Sequence, residues 1–164
     1  MMMRQRFLTL CYVACVVVFA AAQEGTLRVS GTVAQPFTLT ADEFAALAHQ
    51  TITASAHDQQ GRYSGVPLAD LLKRAGVASG EALRGRELAK YVAVTGADGY
   101  RAVFALAELD AGFTDRIVLI ADRRDGKPLP QKAAPFQVIV PGDKKPARWV
   151  RQLVSIDVFE AAAR

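Results

Sequence analysis

The chain has 164 residues, 51% of them apolar and 22% charged, with 12 Gly and 7 Pro. That composition describes one folded domain and excludes a disordered or repetitive polymer. The formal charge of +4 is small and no basic run is interleaved with aromatic residues, so nucleic-acid binding is not expected.

The first 22 residues place Arg4 and Arg6 ahead of an apolar stretch that starts at Phe7 and closes on Ala20, Ala21 and Ala22. This is the order of a secretory signal and predicts cleavage between Ala22 and Gln23. The expected product is a domain over 23–164, periplasmic or secreted, with no membrane attachment after cleavage. An uncleaved anchor is the alternative, because the stretch is long for a signal and short of the roughly 20 residues of a membrane span. Cys15 is read as part of the leader, since only eight residues separate it from Arg6 and the apolar stretch runs on past it. Cys11 lies in the leader too, so the remainder has no thiol and cannot use disulfides. Without Arg4 and Arg6 the 20 basic residues become 18, against 16 acidic ones.

TLRVSG alternates Leu27 and Val29 with polar neighbours, the period of a half-buried strand, and Gly31 ends it. In PFTLTADEFAALA, Thr40 with Glu43 three residues on forms a capping box for a short helix that turns Phe44 and Leu47 inward. QTITASA is again strand-like, and SAHDQQGRY reads as a polar loop. In YSGVPLADLLKRAGV, Pro67 suits a first helical turn, Leu68, Leu71 and Leu72 share a face, and Gly76 suits the left-handed C-terminal position. KYVAVTGADGYRAVFAL reads as two strands joined by a turn at Ala97, Asp98 and Gly99. AELDAGF follows as a short helix or loop. RIVLIAD is an apolar run typical of a strand covered on both faces, and PFQVIVP and LVSIDVF are the last two strands. Seven or eight strands and three short helices, without repeats or a linker, predict a single α+β domain that is mostly β.

Chemistry-bearing residues are few. With two histidines and no thiol beyond the leader, a thiolate metal site is excluded and a multi-histidine zinc site nearly so. His57 beside Asp58 does not make a triad, because adjacent residues point different ways; a solvated loop histidine is the plainer reading. His49 is expected at a helix end. No nucleophile elbow, zinc-protease motif or phosphate-binding P-loop occurs. Lys144, Lys145, Arg148 and Arg151 gather near the Pro141–Gly142 turn, where they either hold an anion or form a solvated hairpin. Arg123, Arg124 and Lys127 form a second basic group that an exposed turn explains equally well.

RYSGVPLADLLKRAGV, KYVAVTGADGYRAVFALAELD, IVLIADRRDGKPLP and APFQVIVPGDKKPARWVRQLVSIDV, in that order, resemble the sulfite-oxidase-like oxidoreductase molybdopterin-binding domain family. The carriers are Gly65-x-Pro67-Leu68 before a helix, Asp98-Gly99-Tyr100 entering a strand, the run from Asp125 to Leu129, and Val140-Pro141 before a basic element with Trp149. The resemblance runs from about Leu27 to Val158. It implies a layered, mostly β fold with short helices and a pyranopterin cofactor carrying molybdenum. By the same resemblance, Ser55, His57, Arg62, Lys132, Lys144, Lys145 and Arg148 are the candidate cofactor-binding residues, with no metal ligand among them.

Two departures bear on function. Thr53, Ala54 and Ser55 stand where metal-binding members place a cysteine, and a hydroxyl is a hard, poorly ionised substitute for a thiolate. Lys132–Ala133 and Gln137 replace a His-Gly pair and an Arg, and Gln cannot supply a guanidinium's charge to a phosphate. One reading is therefore an exported molybdopterin redox protein acting on a small substrate with a redox partner. The other is a non-catalytic binding or partner module that has lost its metal.

Overall fold

A computed structural model describes residues 25–57 and 59–162. The leader, Asp58 and the last two residues lie outside them.

Among the described residues, ten strands and two short α-helices follow in the order β1 (Thr26–Gly31), β2 (Phe37–Thr40), α1 (Ala41–Ala45), β3 (Gln50–Ala56), β4 (Gln59–Pro67), α2 (Leu68–Arg74), β5 (Lys90–Gly96), β6 (Arg101–Ala105), β7 (Leu119–Arg124), β8 (Lys127–Pro128), β9 (Gln137–Ile139) and β10 (Leu153–Glu160). Short 3-10 turns occupy Gly80–Ala82, Gly85–Ala89, Leu106–Leu109 and Pro146–Arg148. The domain is α+β and mostly strand, with layered sheets.

One sheet runs β2-β1-β10-β5-β6, and β1 and β10 pair in parallel at its centre. The other runs β3-β4-β7, with β8 and β9 sharing the far edge of β7. Alternation drives the first sheet: Leu27 and Val29 of β1, Val92 and Val94 of β5, Phe104 of β6 and Ile156 and Val158 of β10 are all buried. Val66, Ile120 and Val138 of the second sheet belong to the same core, as do Phe44 of α1 and Leu68, Leu71 and Leu72 of α2. Phe44 stands 4.7 Å from Phe136, centroid to centroid.

The expected capping box is present. The Glu43 amide donates to Thr40 Oγ1 at 3.2 Å, and the Thr40 amide donates to Glu43 Oε2 at 2.8 Å, which holds the Glu43 carboxyl below its ordinary range. AELDAGF, expected as a short helix or loop, carries the end of the Leu106–Leu109 3-10 turn and then loop. Two expectations change. FTLT is a strand of its own before α1, paired with β1. SAHDQQGRY is a hairpin, since β4 starts at Gln59 and runs to Pro67, which caps α2 from outside its first turn. Of the two glycines that disguise β4, Gly65 is required by backbone and Gly61 leaves room for a side chain. A Cβ on Gly65 collides with the Ile120 carbonyl, at the point where the β4–β7 register shifts. A Cβ on Gly61 stands 2.8 Å from Arg124 Nε.

Candidate functional site

The β3–β4 hairpin is closed by two residues, and His57, the first of them, has φ 50°, the left-handed conformation a two-residue hairpin turn needs. On the inner face of β4, Tyr63 is buried and meets Trp149 edge-on at 5.5 Å. Trp149 donates its indole N–H to the Val140 carbonyl at 3.0 Å, so the ring is fixed. Arg124, opposite Tyr63 on β7, crosses the space left by Gly61 and lies 5.5 Å above the Tyr63 ring. Burial pushes the Tyr63 hydroxyl's pKa up, so the phenol stays neutral.

These groups form the floor of a cleft of about 440 Å³. Lys132 enters from the turn in which the Ala133 and Ala134 amides both donate to the Pro130 carbonyl. Arg151 enters beside it, because the Gln152 amide donates to the Ala133 carbonyl at 3.1 Å and ties the two segments together. Asp98 and Tyr100 close the far side from the β5–β6 turn. Asp98 accepts from the Tyr100 amide at 2.9 Å, and the Tyr100 hydroxyl donates to the Ala147 carbonyl at 2.8 Å. Among the described residues the lining thus holds three permanent cations, Arg124, Lys132 and Arg151, against one carboxylate, Asp98, with His57 at the hairpin tip. Part of the Arg124 charge is shared with Asp125, 3.4 Å away. Chemically, the cleft offers an anion site beside an aromatic wall.

Of the sequence-derived candidates, the structure brings His57 and Lys132 to this cleft, and Gln137 lines it as well. Ser55 and Arg62 belong to the opposite face of the hairpin. Ala54 is buried and Ala56 lines the cleft, so Ser55 between them points outward, as does the exposed Arg62. Lys144 and Lys145 are exposed and are not among the lining residues.

Arg148 is engaged elsewhere. It donates through Nε and Nη2 to both oxygens of Asp143, at 2.8 and 2.9 Å, and through Nη1 to Glu108 at 3.0 Å, while its guanidinium lies 4.8 Å over the Phe104 ring. The Asp143 hydrogen bond raises the pKa of Arg148 further, and the same bond holds the Asp143 carboxyl below its ordinary range. Arg148 is thus a clamp between the turn and β6. His49, expected at a helix end, bridges the Leu47 carbonyl at 2.8 Å and Asp122 at 3.2 Å and meets Phe44 edge-on.

Arg124 and Arg151 were visible in the sequence only as members of basic runs. Tyr63, Asp98 and Tyr100 carried no signal for this site, because the cleft is assembled from four separate turns.

The donor set discriminates between the two parts of a molybdenum pyranopterin. Cations and aromatic rings fit an anionic, planar organic group. The metal does not fit: at the inward β3 positions Ala54 and Ala56 only methyl groups are presented, and no described lining residue carries sulfur. Among the described residues no three His, Cys, Asp or Glu side chains gather where they could hold a metal ion.

Residues 55–164 match the oxidoreductase molybdopterin binding domain. The fold is similar to that of the sulfane dehydrogenase SoxCD from Paracoccus pantotrophus, with a TM-score of 0.68 and 20% sequence identity. That similarity covers 89% of this chain and 41% of the SoxCD chain, so the present chain spans less than half of that neighbour. No curated protein matches the chain. With the domain matched over two thirds of its length and the layered fold shared with SoxCD, the chain belongs to the oxidoreductase molybdopterin-binding domain family.

Proposed function

We propose that this chain is an exported binding module of its family, which holds a planar anionic ligand such as a phosphorylated pterin and lacks molybdenum redox chemistry. The observation that carries this reading is the cleft itself: Lys132, Arg124 and Arg151 line it together with the Tyr63–Trp149 wall, while the one β3 residue among the described lining is Ala56. Lys132 and Arg151 would take the anionic group, the guanidinium as a two-pronged donor and the ammonium as a point charge. Tyr63 and Trp149 would take the ring, and Asp98 would accept from a ring N–H. Export rests on the charged, apolar and small-residue order of the first 22 residues. The other reading, a molybdopterin redox enzyme, is supported by the family and opposed by the donor set.

The chain's single tryptophan lies in the cleft wall, so its fluorescence reports occupancy. Titration with a phosphorylated pterin and, separately, with inorganic phosphate is expected to show saturable quenching. Lys132→Ala and Arg151→Ala are each expected to weaken binding about tenfold, or ~1.4 kcal/mol, the scale of one hydrogen bond to a charged group. Stoichiometric molybdenum in protein purified from molybdate-replete cells would overturn the non-redox reading, and unchanged affinity in both variants would remove the cleft from the site.

A further inference from the structure

The second sheet ends on β3, whose one strand partner among the described residues is β4. The pairing runs from Gln50 opposite Gly65 to Ala56 opposite Gln59 without a bulge. Arg62, opposite Thr53, shows which backbone groups face outward. Its amide donates to Asp125 Oδ1 at 2.9 Å and its carbonyl accepts from the Asp125 amide at 2.7 Å, both away from β3. Thr53 and Arg62 are therefore a non-hydrogen-bonded pair, and by alternation Thr51, Thr53 and Ser55 turn their N–H and C=O groups away from β4. All three residues are exposed, and no residue from Gln50 to Ala56 is charged or a proline.

Sheet edges are ordinarily blunted by charge, proline, bulges, brevity or cover. The other edges here follow that rule. β2 has four residues and β8 two, while β6 carries Arg101 and is covered by the 146–148 turn, which Tyr100 and Arg148 hold in place. Among the described residues the seven-residue β3 has none of these protections.

We infer that β3 is an interface and that its occupant is β3 of a second copy of this chain, antiparallel about a two-fold axis at Thr53. In that register Thr53 faces Thr53 and Thr51 faces Ser55, so every outward amide and carbonyl of the three residues meets a partner. Half-buried Ile52 then packs against Ala54 of the other copy. Identical strands pair only where like charges do not meet, and this edge is neutral throughout, whereas a charged partner strand finds no complement on it. The same axis sets the other copy's hairpin tip, with His57, beside Gln50.

The test is the mass of the full chain by sedimentation over a concentration series. The expected result is a two-chain species that Thr53→Lys or Thr51→Lys reduces to one chain, with the circular dichroism spectrum and unfolding midpoint unchanged. In a Cys11→Ser, Cys15→Ser background, Thr53→Cys is expected to form a disulfide dimer on oxidation, since hydrogen-bonded partners stand about 5.5 Å apart at Cα. A one-chain mass throughout, including the case in which another protein's extended segment uses the edge, overturns the inference. So does a two-chain species that survives both lysine variants, or a Thr53→Cys protein that stays uncrosslinked.

Discussion

Lys132 and Arg151 in the cleft and Lys144, Lys145 and Arg148 in the turn are the same kinds of residue a short distance apart in the chain, with different surroundings. In the turn, Asp143 and Glu108 take up the guanidinium of Arg148, Arg116 adds a further contact to Asp143 at 3.3 Å, and both lysines extend into solvent. In the cleft, Asp98 is the one carboxylate among the described lining residues opposite three cations; it already accepts a backbone hydrogen bond, and Asp125 takes part of the Arg124 charge alone. A cation becomes a ligand group when the fold leaves its charge unspent beside an enclosed surface; otherwise it is a fastening or a solvated side chain.

The strongest way to break this contrast is Arg148→Ala. It removes a two-pronged ion pair and leaves the Asp143 carboxylate, whose side chain is 16% exposed, with only the Arg116 contact at 3.3 Å among its described ion pairs. The expected loss is about 2 kcal/mol, between the values for exposed and fully buried pairs, read from urea unfolding, with the affinity for phosphorylated pterin unchanged. A collapse of affinity at unchanged stability would transfer Arg148 to the ligand site.

A smaller effect follows from pH. Arg148 holds the Asp143 pKa below its unfolded value of about 3.9, so the stabilisation is complete above that value and is lost as pH falls through the lower folded value. Unfolding free energies of the native chain and of Asp143→Asn should therefore differ at pH 6 to 7 and converge on acidification below about 4. A constant difference across that range would show that the pair acts by shape and not by charge.

The smallest effect sharpens the comparison. Lys144→Ala together with Lys145→Ala should change stability by less than about 0.5 kcal/mol and leave the fluorescence titration unaltered. A weakened titration would mean that the turn reaches the ligand after all.

The elements legible in the sequence are those whose cause is local. The Thr40–Glu43 box, the α2 leucines and the alternation in β1 each need only a few neighbouring residues. β4 was hidden because Gly61 and Gly65 are set by Arg124 and the Ile120 carbonyl, some 55 to 63 positions away, and their presence dilutes the alternation that marks a strand. Arg148 was read as a ligand group for the same reason. Asp143 is close in the chain, but Glu108 is 40 residues distant and Phe104 further still. Ser55 was separated from the cleft by the parity of a strand, which the sequence displays only once the inward face is known.

The parallel pairing of β1 with β10 has a mechanical consequence. Arg28 to Gly31 run alongside Ser155 to Val158, so a pull applied at Thr26 and Glu160 draws the first and last strands past each other lengthwise. The load then falls on all their shared rungs at once instead of opening them singly. The first and last described strands thus pair in the orientation best able to resist tension.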